Sequence, residues 1–273
     1  MNELKRAKHQ VTPMAGLRLF DLQDASPSMP RLGEGAAGEP VDPRLVVHSD
    51  ADPVFVKQYR LLGAAVHQAQ VANGIRSVMV TSAVEGEGKT FVATNLAWTL
   101  SRSFGKRVLL VDGDLRKPSI HLLLGIDDEG GGGRVLQQAG DRAITRMLSP
   151  TLSVIAGGAP HADPVAWLVS ERAQRFLRES RDTFDCVVVD TPPVLAFPDA
   201  GLFAASVDAC LMVVRAAATA SPAAARAVEA IGASRILGVV LNQVAAGEIA
   251  EAYGYYGARS GRFPFASWRG RRS

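Results

Sequence analysis

A short glycine-containing stretch, AVEGEGKT at residues 83–90, holds the residues whose spacing most clearly suggests chemistry. It lies between the strand-like run RSVMVTS and the helical pattern TFVATNLAWTLSRSF. Glycines allow backbone N–H groups to curl around an anion, and an adjoining lysine and hydroxyl can bind phosphate oxygens and Mg²⁺. The N-terminal end of the following helix adds a positive dipole. The stretch therefore predicts a phosphate-binding loop.

The template G-x-x-x-x-G-K-[ST] assigns roles within this loop. Ala83 stands where the template has its first glycine, and the remainder matches at Gly88, Lys89 and Thr90. We expect Lys89 to reach the β- and γ-phosphates of a nucleotide and Thr90 to offer its hydroxyl to Mg²⁺. The rest of the predicted nucleotide-binding loop comprises Glu85, Gly86, Glu87 and Gly88.

Three carboxylates follow two other strand-like runs. Asp112 and Asp114 end VLLVDGD, and Asp190 ends CVVVD. The carboxyl ends of parallel strands meet at one edge of a sheet, so these side chains should share a crevice with the phosphate loop. Mg²⁺ prefers oxygen ligands and substrate phosphates. Together the three aspartates predict a set that binds a metal ion and activates a nucleophile.

The elements that must position these residues alternate along the chain. Apolar strand-like runs separated by helical patterns predict an α/β fold, with a mainly parallel sheet sandwiched by helices. One domain is expected over residues 51–245. The predicted strands are RSVMVTS, RVLLVD, LSVIAG, CVVVD, ACLMVV and ILGVVLN.

The two ends of the chain differ from this domain in composition. Residues 1–50 mix Pro, Gly, Ser and charge, which predicts a disordered or linker arm. Residues 246–273 predict a flexible tail that contains tyrosines and arginines. The formal net charge is only +3, and we expect no nucleic-acid partner. Because no apolar run is long enough to span a membrane, the expected location is the cytoplasm.

Three segments resemble the nucleotide motifs of the bacterial tyrosine autokinases: TSAVEGEGKTFVATNLA, VLLVDGDLRKPSIHLLLGI and FDCVVVDTPPVLAFPDA. The resemblance extends through GVVLN at residues 238–242. That family serves capsule and exopolysaccharide export. Its kinase domain belongs to the deviant Walker A group of P-loop NTPases, which also contains division-site ATPases. The resemblance implies this fold, with ATP and Mg²⁺ as cofactors.

The resemblance also implies roles for individual residues. Asp190 would hold the metal through water, and Asp112 would serve as base or metal ligand with Asp114 beside it. Asn242 would lie near the adenine. Members of the family end in a tyrosine cluster that they phosphorylate themselves. The corresponding phosphoacceptors in EAYGYYGARS are Tyr253, Tyr255 and Tyr256.

The implied partner is a membrane polysaccharide co-polymerase, a chain-length determinant that activates the kinase and holds it at the inner face of the cell membrane. Relatives also form rings through an E-x-x-R-x-x-R helix. In this sequence Lys57, Arg60 and Gly63 occupy the matching positions, so only the middle residue is kept. This departure predicts weak self-association. Glu85 stands where relatives carry proline, which predicts a less rigid and more acidic loop.

Two other functions remain open at this point. A partitioning-type positioning ATPase would carry a second lysine five residues before the loop lysine, but Val84 stands there. A non-catalytic adaptor of the co-polymerase would bind nucleotide without transferring phosphate. We favour an ATP-dependent tyrosine autokinase, because the sequence contains both the carboxylates and a tyrosine cluster.

Overall fold

The computed structural model describes residues 18–23, 42–46, 51–126, 146–161, 163–168, 170–197 and 199–244. Its strands are β1 (Arg18–Gln23), β2 (Ser77–Ser82), β3 (Val108–Asp112), β4 (Arg146–Ser149), β5 (Leu152–Ile155), β6 (Cys186–Asp190), β7 (Ala209–Arg215) and β8 (Ile236–Val244). Its α-helices are α1 (Pro53–Asn73), α2 (Lys89–Phe104), α3 (Ile120–Leu124), α4 (Pro164–Leu168), α5 (Glu171–Thr183), α6 (Asp199–Ser206) and α7 (Ser221–Ile231). A 3₁₀ turn at Ala233–Arg235 precedes β8.

These strands form one sheet in the order β1-β8-β7-β2-β6-β3-β5-β4. Every neighbouring pair is parallel except β4 and β5, which are antiparallel. The predicted mainly parallel α/β sheet is therefore confirmed, and all six predicted strands are present. β4 was not predicted, because its short half-exposed run lacks the apolar signal of the buried strands.

Two apolar layers cover the sheet because alternate strand residues point to opposite faces. On one face Val78 and Val80 pack with the buried residues of α1 and α2. On the other face Met79 packs with Phe203 of α6 and Ile231 of α7. This two-sided burial explains why the central strands read as continuous apolar runs.

The helix α1 begins and ends at clear sequence signals. Asp52 accepts a hydrogen bond from Val54 N–H (2.7 Å), and Gly74 ends the helix with a φ of 69°. One face of the helix is apolar and buried, through Phe55, Tyr59, Leu62 and Val66. No helix in the described ranges has both the length and the apolar character needed to cross a membrane.

The strand β1 lies inside the range that the composition assigned to an arm. Residues 18–23 pair in parallel with β8, so this stretch is part of the sheet rather than a linker. The sequence signal failed because β1 is an edge strand of six residues, RLFDLQ, isolated among Pro- and Gly-rich segments. The boundaries at residues 50 and 245 otherwise stay predictions.

Two opposite edges of the sheet matter for function. We call the edge where β2, β3 and β6 end the carboxyl edge, and the edge where they begin the amino edge. Ser82, Asp112 and Asp190 are the last residues of these strands. The predicted site residues thus converge at the carboxyl edge.

Candidate active site

The predicted phosphate loop connects β2 to α2 at the carboxyl edge. Gly86 and Gly88 have φ angles of 80° and 88°, a left-handed conformation that favours glycine. A Cβ on Gly88 would also collide with the side-chain amide of Asn242, which would have to move away. The loop is therefore shaped by glycines at the two positions that the sequence indicated.

Lys89 and Thr90 are the first residues of α2. The Lys89 ammonium donates to Asp114 Oδ2 at 2.8 Å and is largely buried. Burial alone would lower the pKa of Lys89, but the charges of Asp190 and Asp114 outweigh it and raise the pKa above its usual value. The lysine therefore stays a cation beside the loop. The Thr90 hydroxyl accepts from Ser119 Oγ at 3.3 Å.

Asp112 and Asp190 face each other as register partners at the ends of β3 and β6. Both are buried, at 1% and 0% exposure. Gly113 allows this arrangement, because its N–H donates to the Asp190 carbonyl at 2.7 Å where a Cβ would collide with that oxygen. The D-G-D sequence thus places a glycine where β3 passes closest to β6.

The hydrogen bonds of this carboxylate pair are incomplete. Asp112 Oδ2 accepts from the N–H groups of Ser119 (2.9 Å) and Ile120 (3.0 Å). Asp112 Oδ1 and both carboxylate oxygens of Asp190 are buried and lack a hydrogen bond of good geometry among the described residues, although the Thr90 hydroxyl and the Thr191 N–H lie near enough to Asp190 to lower its pKa. Buried polar atoms in native structures are almost always paired, so three unpaired oxygens together indicate a missing cation or donor.

The environment of the pair changes its protonation. Burial, followed by the charge of Asp190, raises the pKa of Asp112. Burial also raises the pKa of Asp190, although the Lys89 ammonium opposes the shift. Such shifts are common where carboxylates serve as bases or metal ligands.

The donor set fits a Mg²⁺ ion. Hydroxyl and carboxylate oxygens from Thr90, Asp112 and Asp190 converge here, and oxygen is the ligand type that Mg²⁺ prefers. Within the described ranges, no three His, Cys, Asp or Glu side chains form a metal cage by themselves. Mg²⁺ commonly uses one or two carboxylates together with water and substrate phosphates.

A cavity of about 580 Å³ opens over the loop. Its volume suits a nucleotide-sized ligand. Several of its residues were predicted: Glu85, Gly86, Gly88, Lys89, Thr90, Asp114 and Asn242. Others were not: Arg44, Phe91, Lys117, Ser119, Leu122, Leu123, Pro193 and Gln243.

Arg44 is the most informative of the residues that the sequence did not indicate. Its guanidinium lies 5.3 Å from the centre of the Phe91 ring and pairs with Asp42 (2.8 Å). Asp42 N–H donates to the Leu123 carbonyl, which holds this segment against α3. Arg44 lies in the part of the sequence assigned to an arm, and no local pattern connects it to the loop.

Glu87 and Asn242 were predicted to contact the nucleotide, but their side chains make other contacts in the structure. Glu87 is 2% exposed and is absent from the cavity wall. Asn242 reaches the wall, but its Nδ2 donates to the Glu87 carbonyl at 2.9 Å. The side-chain amide of Asn242 therefore supports the loop backbone, and a contact of Asn242 with adenine stays a prediction.

Arg116, which follows the D-G-D segment in the sequence, pairs with Asp199 at 2.7 Å and lies over the Phe197 ring. Tyr253, Tyr255 and Tyr256 lie outside the described residues.

Comparison with known proteins agrees with this geometry. A family model described as "ParA: NUBPL iron-transfer P-loop NTPase" matches residues 74–252. The tyrosine-protein kinase YwqD of Bacillus subtilis (strain 168) is 34% identical over 207 residues, which cover 74% of this chain and 86% of that protein. The chain belongs to the bacterial tyrosine-protein kinases. The predicted P-loop NTPase class and the predicted family are both confirmed.

Solved structures extend this likeness to the backbone. The kinase domain of Escherichia coli tyrosine kinase Etk matches with a TM-score of 0.74 at 26% identity, covering 84% of this chain and 91% of that one. The septum site-determining protein MinD of Pyrococcus horikoshii matches with a TM-score of 0.53 at 20% identity, covering 64% and 76%. The MinD likeness shows the fold alone. The chain spans only 21% to 35% of the length of several other tyrosine-protein kinases that it matches.

Proposed function

We propose that this tyrosine kinase uses ATP and Mg²⁺ to phosphorylate its own C-terminal tyrosine cluster. The observation that carries the proposal is the buried pair Asp112 and Asp190, which lies beside the Lys89 ammonium and has three carboxylate oxygens without a hydrogen bond of good geometry. A purely structural carboxylate pair would have those oxygens satisfied. Mg²⁺ bound here would offset the negative charge of the triphosphate.

Asp112 is suited to accept the proton of a tyrosine hydroxyl. Its Oδ2 is fixed by two backbone N–H groups, which leaves Oδ1 without a partner in the described structure. A phenol has a reference pKa of about 10, so attack at neutral pH needs a positioned base. The γ-phosphoryl group then moves to the phenolate oxygen, and ADP leaves.

The proposed acceptors are Tyr253, Tyr255 and Tyr256. The fourth tyrosine, Tyr59, is fully buried in α1 and contacts Phe55 edge-on, so it cannot enter an active site without unfolding the helix. Tyr253 lies nine positions after Val244, and at ~3.3 Å per position this stretch could span roughly 30 Å. That reach permits phosphorylation within one chain as well as between chains.

Phosphotyrosine mapping after incubation with ATP and Mg²⁺ tests this function. We expect phosphate on the tail tyrosines and none on Tyr59. A triple Tyr253→Phe, Tyr255→Phe, Tyr256→Phe variant should lose the incorporation, because phenylalanine keeps the ring and removes the acceptor. Its thermal stability should stay close to that of the parent.

The same experiment separates the competing functions. ATP hydrolysis without phosphotyrosine would indicate a positioning ATPase, and nucleotide binding without turnover would indicate an adaptor. The measurement should include protein recovered from its own cells, where an activator is present. Phosphate that persists in the triple variant on another residue type would reject the tail as substrate.

We further propose that the kinase regulates exopolysaccharide polymerisation or export through a membrane co-polymerase. This partner would activate the kinase and recruit it to the inner face of the cell membrane. Family membership supports the proposal, and the expected result is slow turnover of the isolated chain that rises when the partner's cytosolic segment is added.

Assembly is proposed to depend on that partner. In the structure Lys57 and Arg60 are exposed on α1, whereas Gly63 is buried against α2. A Cβ at Gly63 would lie 2.9 Å from the Phe104 ring, so the third position of the family's ring motif faces inward here. We expect light scattering to show a monomer or a weakly associating species.

A further inference from the structure

The Glu87 side chain turns away from the nucleotide cavity and into the protein. Its Oε2 accepts from Val84 N–H at 2.8 Å, within the phosphate loop. Its Oε1 accepts from the Thr219 hydroxyl and, at 3.4 Å, from Arg215 N–H. One carboxylate therefore joins the loop to the connection between β7 and α7.

The main chain of Glu87 is held as well. Its carbonyl accepts from Asn242 Nδ2 at 2.9 Å, near the end of β8. The β7–α7 connection is tied to the same strand, because Ala216 N–H donates to the Asn242 carbonyl at 2.8 Å. The side chain of Glu87 is thus held beside the end of β7, and its main chain beside the end of the neighbouring strand β8.

The loop needs such an anchor because its flanking residues provide little restraint. Gly86 and Gly88 are both in the left-handed region, and glycine has the largest backbone freedom of any residue. No Cβ fixes the backbone on either side of Glu87. The hydrogen bonds of Glu87 are the contacts that select one loop conformation between the two glycines.

We propose that Glu87 is a positioning residue for the phosphate loop, and that Thr219 sets the loop's affinity for nucleotide phosphates through it. Neither residue lies on the cavity wall, so the effect passes through the loop backbone. The inference rests on the proposed nucleotide site, but it does not require phosphate transfer to tyrosine.

A matched pair of variants at Thr219 tests the proposal. Thr219→Val keeps the shape and removes the hydroxyl, which donates to Glu87 and also accepts from Arg215 N–H at 3.0 Å, whereas Thr219→Ser keeps a hydroxyl for both bonds. We expect the Kd for Mg·ATP to rise about tenfold in Thr219→Val, as for the loss of one hydrogen bond to a charged group. Thr219→Ser should bind Mg·ATP as the parent does. The Kd for adenosine, which lacks phosphates, should stay the same in all three proteins.

Equal Mg·ATP affinity in Thr219→Val and the parent would overturn the proposal, as would a parallel loss of ATP and adenosine binding. Thermal melting curves identify a temperature at which every variant is folded, and the binding measurements are made at that temperature. If Thr219→Val does not fold, Glu87→Gln gives a second test, because an amide has one acceptor oxygen and cannot accept on both sides. It should also weaken Mg·ATP and spare adenosine. If the parent protein binds ATP normally but forms no phosphotyrosine, the kinase proposal is rejected and the inference about Glu87 and Thr219 is unaffected.

Discussion

The two edges of the sheet hold aspartates in opposite conditions. At the amino edge, Asp208 precedes β7 and accepts from Arg76 N–H, Ser77 N–H, the Ser77 hydroxyl and the Arg181 guanidinium, all within 3.0 Å. Burial would raise the pKa of Asp208, but these hydrogen bonds lower it below its usual value. At the carboxyl edge, Asp112 and Asp190 are more deeply buried, have unpaired oxygens and have raised pKa values.

This difference separates carboxylates that stabilise the fold from those available for chemistry. Asp208 is fully compensated by groups that the fold itself supplies, so removing its charge should weaken the protein. Asp190 is compensated only in part, by Lys89, Thr90 and Thr191, and burial still raises its pKa. Its charge should therefore cost stability in the free protein, and the cost is offset only when a cation binds.

The largest effect should come from removing the largely buried Lys89 cation at the carboxyl edge. Lys89→Met should lower autophosphorylation by about 10²- to 10³-fold, since each preorganised group that stabilises transition-state charge contributes on that scale. Phosphotyrosine formation at saturating Mg·ATP measures it. Lys106→Met, which removes a lysine at the amino edge, is the control and should leave the rate unchanged. Equal rates in Lys89→Met and the parent would reject the phosphate-loop assignment.

The carboxyl edge was predictable because its information is local. Gly86, Gly88 and Lys89 are contiguous with a strand and a helix start, and Asp112 and Asp190 end apolar runs. Parallel pairing then brings them together without any further signal. The predicted loop glycines and the predicted carboxylate crevice are accordingly found where the strand ends placed them.

The residues that were missed depend on contacts distant in sequence. Arg44 reaches the cavity because its segment is held by distant partners, Leu123 for Asp42 and Asn95 for Val46, and β1 forms a strand by pairing with β8. The Glu87 side chain is turned inward by Thr219, which lies 132 positions further along the chain. No periodicity or spacing in a single sequence indicates such partners.

Stability should respond in opposite directions to the same substitution at the two edges. Asp208→Asn should lower the free energy of unfolding by about 1 kcal/mol, because an amide cannot accept from both the Ser77 side and Arg181. Asp190→Asn should raise it, because a neutral amide is cheaper to bury than a carboxylate. Urea unfolding at pH 7 without Mg²⁺ or nucleotide measures both.

Saturating Mg·ATP should then stabilise the parent and not Asp190→Asn. If both asparagine variants destabilise the free protein, the carboxylate of Asp190 has a structural partner and the contrast between the edges does not hold.

The smallest effect concerns pH. Because the pKa of Asp112 in the folded state is raised from 3.8 to about 7, the folded protein holds more protons than the unfolded chain between these values. Stability from this group is therefore present at low pH and is lost as pH rises toward 7, with a slope of at most about 1.4 kcal/mol per pH unit for one proton.

Asp208 has a lowered pKa and acts in the reverse sense, since its contribution is present at neutral pH and is lost as pH falls below 3.8. Urea midpoints at pH 5, 6, 7 and 8 should consequently decline less in an Asp112→Asn, Asp190→Asn double variant than in the parent, while histidine titration is common to both and cancels in the comparison. Mg·ATP binding to the parent should tighten over the same range, since the metal requires ionised carboxylates. Parallel midpoint curves for the two proteins would show that the carboxyl-edge pair is already ionised at pH 5.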